Sequence, residues 1–409
     1  NQYLEQNGGI SYTRSAHYVD GTDLVFNLGR DMYRTSVSIE ETTVSRATLN
    51  TEHEVIQIQK SAGNFLLSTT GGIKLWDPIK DVTASYLNSA SVSCFRIDKD
   101  GNYWISTTNQ GQFFIPKSPF KVIVYDYRSP QTFESFLIHK NLVLLGRFDN
   151  KITVFDRFSK RLDSTISIGP QATRIYDMHW LKDDKFLINR NPNSAILDVS
   201  DYSVEEAHIG IRPNKVYRYN SDTLVSLTTI NGKIALFSTQ GELLYKSLDR
   251  SKGINDFEAR SYDLMPVPEK QMVFIASADG VHGFNVPKRR FFNLKRFSAL
   301  EGLPVSDIEK RGKQTAFATL GSGVFVYNQD THYSISSSNG LRYEIVNCVK
   351  WFSDSTLLIG TNQGLSVALI KSASDVKVMH YSRSNGLLSN MVKQIDIHKN
   401  GFAYILTDK

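Results

Sequence analysis

Along this chain apolar positions come in short runs divided by polar turns, and three runs share one internal spacing. Val92, Phe95, Asp98, Gly101, Trp104 and Thr107 stand three residues apart. The spacing returns at Val392, Ile395, His398, Gly401, Tyr404 and Thr407. With a degraded turn it returns again at Val346, Val349, Phe352, Ser355, Leu358 and Thr361. Each copy reads as an apolar strand, a polar turn, an apolar-aromatic strand, a turn containing Gly, and a third strand. The pattern predicts second strands at 65–69, 103–107, 142–147, 185–190, 224–228, 272–277, 315–319, 357–361 and 403–407, with a weaker first copy at 23–27. They recur roughly every 40 to 50 residues, the period of a four-stranded sheet repeat. No segment sustains apolar residues at i, i+3, i+4 and i+7, which excludes a helical solenoid.

A unit this small cannot bury its own apolar faces, so copies must stack. The turn chemistry agrees. In the segment from Asp98 to Asn102, Asp98 can accept local N–H groups while Gly101 takes a positive φ. The hydroxyl of Thr107 is placed to satisfy a backbone group in the next turn. The expected fold is all-β: a β-propeller built from four-stranded antiparallel blades, about ten of them. Seven blades is the common closure. The expected division is therefore a seven-bladed propeller over residues 1–295 and the first blades of a second, truncated one over 296–409, with a single large ring as the alternative.

Composition narrows the function classes. The net charge of +6 is spread along the chain. Its one concentrated block, running from Lys288 to Arg296, reads as an exposed loop rather than a nucleic-acid surface, so no nucleic-acid partner is expected. Cys94 and Cys348 occupy corresponding inner strands and are expected to be buried free thiols; two cysteines cannot make a zinc site. His17, His53 and His139 have no partner at ligand spacing, so no metal or cofactor is expected. No apolar run is long enough to span a bilayer. The chain starts at Asn1, which suggests a processed or trimmed terminus with any export signal out of view.

Two repeats break the pattern after the second strand. Where other copies carry Thr or Ser, the fourth has Arg147, followed by Phe148 and Asp149, and the fifth has Arg190, followed by Asn191. On adjacent blades these would gather two guanidiniums, an acid, an amide and an aromatic ring, a set suited to an acidic sugar or carboxylate. Ion pairs within the turns are the competing reading. His179 and Trp180, on the inner strand of the fifth repeat, complete the candidate ligand-binding set, with core packing as their alternative. No nucleophile elbow, Ser-x-x-Lys set, Cys-His pairing or phosphate-binding Gly loop occurs, so no catalytic residue is assigned.

Asn385, Gly386, Leu387, Ser389, Asn390 and Val392, followed by Ile395, Gly401 and Thr407, resemble the two-component regulator propeller repeat. Val92 to Gly111, with Asp98, Gly101, Trp104, Ile105 and Thr107, matches its core. Leu358, Ile359, Gly360, Thr361, Asn362, Gln363, Gly364 and Leu365 match its end. His398, Leu388 and Leu406 depart from the usual Asp, Pro and Gly. The resemblance implies the periplasmic sensing region of a hybrid sensor histidine kinase, of the kind by which Bacteroidetes detect glycan fragments. It further implies a small-molecule or oligosaccharide ligand, a membrane-anchored parent, and a homodimer able to carry the signal. The alternatives are a scaffold propeller for protein contacts and a carbohydrate-active propeller enzyme.

Overall fold

In a computed structural model the described residues of the chain form ten antiparallel sheets. The structure describes residues 16–408 except 21–22, 29–30, 38–41, 51, 62–63, 78–81, 100, 116, 118–119, 122–131, 157–160, 170–172, 191–192, 208–214, 229–232, 248–258, 330 and 400. Blades are numbered 1 to 10 in chain order. Among the described residues eight have four strands, blade 3 has three and blade 10 has two, and consecutive strands pair side by side. Each predicted second strand is present, from Asp23–Leu28 in blade 1, through Leu142–Arg147 and Lys185–Arg190 in blades 4 and 5, to Ala403–Thr407 in blade 10.

The second strands of blades 2 and 4 to 9 are buried on both faces. Phe186, Leu187, Ile188, Asn189 and Arg190 are buried in succession, as are Val273 to Ser277 and Leu357 to Thr361. A strand covered on both sides reads as a continuous apolar run rather than an alternation, which is why these segments stood out. In blades 5 to 9 one face packs on the preceding blade and one on the following blade.

The chain divides into two compact units, Asn1–Pro119 and Phe120–Lys409. The first holds blades 1 to 3, joined by a cluster around Val25, Ile58 and Trp76 and another around Leu66, Phe95 and Ile105. The second holds blades 4 to 10, with one apolar cluster at each junction. Ile175 and Ile188 face Leu144 and Val154 between blades 4 and 5. Leu187 meets Val216 and Phe237 between 5 and 6, and Val225 meets Leu264 and Ile275 between 6 and 7. Phe297, Phe317 and Tyr327 join 7 to 8, and Val326 and Trp351 join 8 to 9. Cys348, Leu358, Val392 and Ile395 join 9 to 10, with Phe120 packed alongside.

The last junction closes the ring. Leu406 and Tyr404 of blade 10 pack with Phe136, Val143 and Leu145 of blade 4. The unit is thus a seven-bladed propeller. The boundary expected at 295/296 falls inside it, where Phe274 of blade 7 and Phe317 of blade 8 both pack against Phe297. The physical reason is that identical repeat units flank every junction. What ends one propeller is a contact between its first and last blades, which leaves no local mark.

Candidate functional site

The turn between second and third strands has a fixed construction. Thr69, Thr107, Thr319 and Thr361 each donate a hydroxyl hydrogen bond to the carbonyl of a glycine three or four residues on, at 2.7–2.9 Å, and Ser277 does the same to Gly280. The glycine is required at Gly364, whose φ of 137° and approach to Tyr381 exclude a side chain. Blades 4 and 5 replace this hydroxyl by arginine, and the structure shows what each does instead. Arg147 closes its own turn, donating from Nε and Nη2 to the Asp149 carboxylate at 2.8 and 2.7 Å, with Lys151 3.4 Å away. Arg190 is buried and its Nη2 pairs with Glu206 on the outer strand of the same blade. Asn191 lies outside the described residues.

Phe148 is 53% exposed, with the Arg174 guanidinium 5.4 Å from its ring centre. Arg174 pairs with Glu134 at 3.3 Å, and Glu134 also takes Lys393 of blade 10 at 3.1 Å. Arg147, Phe148, Asp149 and Arg190 therefore share one face of the propeller with Arg174 and Glu134, which sequence reading missed.

His179 and Trp180 do not join them. Arg190 stands opposite Ile175, while His179 and Trp180 stand opposite Leu187 and Phe186. At a strand rise of about 3.3 Å per residue this puts them about 10–13 Å away, toward the other face. Trp180 is already engaged: its indole N–H donates to Asp183 O at 2.9 Å, His139 stacks on it at 5.2 Å, and Arg218 lies 5.1 Å from its ring. His179 is held neutral; burial first, then the Arg218 charge, lowers its pKa to about 4. These two residues pack blades together. Cys94, expected to be buried, is exposed; Cys348 is buried, and burial pushes its thiol pKa up, away from reactivity.

A second arrangement surrounds the propeller axis. Most inner strands carry a β-bulge near their start, as between Ile175 and Asp177, Ser261 and Asp263, Val305 and Asp307, and Val392 and Gln394. The bulge turns one side chain onto the next blade. There it accepts the N–H that an innermost strand leaves unpaired: Val216 N to Asp177 at 3.1 Å, Ile308 N to Asp263 at 3.1 Å, Val349 N to Asp307 at 2.7 Å. Gln394 closes the circle, taking Phe136 N at 3.0 Å and donating to Phe136 O at 2.9 Å. In the first unit Gln57 takes Phe95 N at 3.0 Å.

Lys215 interacts electrostatically with Asp177, Asp263, Asp307 and Cys348, which sit on four other blades, so its ammonium lies near the axis. Burial alone would lower its pKa, but the carboxyl groups outweigh that and hold it above the ordinary value. Asp307 is pushed well up, by burial first and then by the charge and hydrogen bond of Asp263. Tyr217 donates to the other oxygen of Asp263 at 2.6 Å.

Asp177 gives a pH test. Burial raises its carboxyl to about 6, partly offset by Lys215 and two N–H donors. The unfolded carboxyl titrates near 4. The native state thus gains its full advantage below about pH 4 and loses about 3 kcal/mol as pH rises through 6. Asp177→Asn keeps an acceptor for Val216 N–H without the titration. It is expected to be more stable than the parent at about pH 7.5, with the difference gone near pH 4 in urea melts. His179 has the opposite sign, its stability being lost as pH falls from about 6.5 toward 4. The parent curve is therefore flattened in that window, and the variant should be distinctly acid-labile. A variant-minus-parent difference independent of pH would refute this.

Among the described residues no group of His, Cys, Asp and Glu is arranged to hold a metal ion, and no helix is long and apolar enough to cross a membrane.

Comparison with known proteins bears on the family. Residues 86–109 match the model of the two component regulator propeller family. The extracellular domain of a putative hybrid two-component system from B. thetaiotaomicron is similar in structure, with 12% identity and a TM-score of 0.57, over 96% of this chain and 57% of that one. A second such domain from the same organism has 15% identity and a TM-score of 0.44, over 96% of this chain and 60% of that one. A computationally designed protein has 13% identity and a TM-score of 0.43, over 90% and 95%. The chain therefore spans about three-fifths of the two bacterial domains. No curated protein sequence matches it. At 12% identity the likeness to the first of these shows the fold alone: the chain is a β-propeller protein, in which residues 86–109 match the two component regulator propeller repeat.

Proposed function

We propose that this chain is the ligand-sensing propeller region of a two-component regulator, lying outside the cytoplasm and performing no chemistry itself. The observation that carries the reading is the regulator-propeller match at residues 86–109. The likeness in fold to the extracellular domain of a putative hybrid two-component system supports it. The ligand is carbohydrate-derived and binds on the loop face bearing Phe148 and Arg174, where an exposed ring and a planar cation stand together. A ring latched at every junction deforms little, so the signal passes as a changed arrangement of two copies in a membrane-anchored parent. The ligand must favour one arrangement, because equal affinity for both shifts nothing.

The test is thermal melting and calorimetry of the chain against a panel of oligosaccharides. A ligand at a hundred times its Kd should stabilise the bound unit by about 2.7 kcal/mol. Failure of the whole panel to bind, or release of new reducing ends during incubation, would remove the sensing reading.

A further inference from the structure

On the face carrying the second turns, a strip of charged side chains runs from blade 4 across to blade 10. At one end Asp149 takes two cations. Arg147 donates from Nε and Nη2 to its two oxygens at 2.8 and 2.7 Å, and the Lys151 ammonium lies 3.4 Å from one of them. At the other end Glu134 takes two more, Arg174 on Oε2 at 3.3 Å and Lys393 on Oε1 at 3.1 Å. The two halves meet at Phe148, which precedes Asp149 and has the Arg174 guanidinium over its ring, 5.4 Å from the centre. Four cations thus share two acids, and all four carboxylate oxygens are engaged. Arg190 leaves that excess unchanged, because it is buried and matched by Glu206. The donors of the strip are not used up. Lys151 and Arg174 each meet a single carboxylate, and their side chains are 44% and 46% exposed. An ammonium offers three N–H groups and a guanidinium five, and neither accepts.

We propose that this strip binds the anionic group of an acidic saccharide, a carboxylate or a sulfate ester, with Arg174 supplying the fork of donors and Lys151 further positive charge; the proposal rests on the carbohydrate-sensing reading above. The strip has donors to spare and its carboxylate oxygens are taken, so the ligand must bring acceptors. A neutral sugar hydroxyl could accept from one cation but finds no free carboxylate for its own hydrogen. A carboxylate or sulfate only accepts, and it offsets the surplus charge as well. The free edge of a guanidinium matches two oxygens of such a group at once. Phe148, 53% exposed beside Arg174, presents an aromatic surface to the C–H face of a pyranose, so one sugar residue meets ring and charge together. The two arginines that pointed to an acidic ligand in the sequence, Arg147 and Arg190, are held by Asp149 and Glu206. The open positive charge sits on their neighbours.

Calorimetric titration of the chain with oligogalacturonides, carrageenan oligomers and neutral xylo-, gluco- and galacto-oligosaccharides tests it. An acidic series is expected to bind, with the neutral ones at least about tenfold weaker; oligogalacturonides against carrageenan oligomers separate the carboxylate from the sulfate. Arg174→Gln should weaken acidic binding about tenfold and Lys151→Gln severalfold, and both should reduce its dependence on salt. Each of these side chains is half exposed, so both variants are expected to fold, which thermal melting checks. Neutral oligosaccharides that bind as tightly as the acidic ones, or acidic binding that neither substitution weakens, overturns the anionic site while carbohydrate sensing stands. Absence of binding by every saccharide removes both.

Discussion

Phe297→Ala should destabilise the unit spanning residues 120–409 by about 3–5 kcal/mol, the range for deleting a fully packed aromatic ring. Phe297 is 3% exposed. Its ring lies 4.7 Å from Phe317, 4.9 Å from Tyr327 and 5.3 Å from Phe274. These neighbours come from blades 7 and 8, so the substitution empties a cavity at their junction. Domain stabilities are typically about 5–15 kcal/mol, so this is a large part of the total. Were 295/296 a linker between two propellers, the same change would cost under about 1 kcal/mol, as for a surface position. Urea melts followed by fluorescence distinguish the two.

A chain ending at residue 391 should lose cooperative folding of all seven blades of the second unit. The deleted segment carries Val392, Ile395 and Leu406, each buried. Its removal also uncovers Leu358 and Leu365 on blade 9 and Phe136, Val143 and Leu145 on blade 4. Each such side chain contributes about 1.5–3 kcal/mol by burial, so exposing this set exceeds the net stability of a domain. An open array would behave otherwise, because losing a terminal unit there breaks a single interface and leaves the remaining repeats folded. Hydrogen exchange read blade by blade gives the answer. Protection lost throughout residues 133–381 is expected, and loss restricted to blade 9 would contradict it.

The second strands of blades 2 and 4 to 9 were legible because burial on both faces writes a continuous apolar run, and the less buried ones of blades 3 and 10 because they share one internal spacing. Ring closure was not, since Gln394 and Phe136 are 258 residues apart and nothing near either residue announces the other. The arginines of blades 4 and 5 were legible as departures from the threonine that closes the turn. The Arg147 pairing with Asp149, two residues on, was within reach of sequence reasoning. The Arg190 pairing with Glu206 required knowing that the outer strand folds back beside it. Trp180 was misplaced because its distance along the strand from Arg190 was not counted. The axial side chains had a signal that went unused. Gln57, Cys94, Ser135, Asp177, Asp263, Asp307, Cys348 and Gln394 each follow the first residue of an inner strand by two, and aligning the copies on that position exposes the column.

The most direct test is a zero-length carbodiimide cross-link between Lys393 and Glu134, 3.1 Å apart in space and 259 residues apart in sequence. Because the reagent inserts no atoms, it joins only an amine and a carboxyl already in contact. Mass spectrometry of the monomeric fraction should find the peptide holding Lys393 joined to the peptide holding Glu134, and Gln394→Ala should reduce the yield. If that linkage is absent from monomers, or forms only between copies of the chain, blade 10 does not meet blade 4 and the seven-bladed ring is wrong.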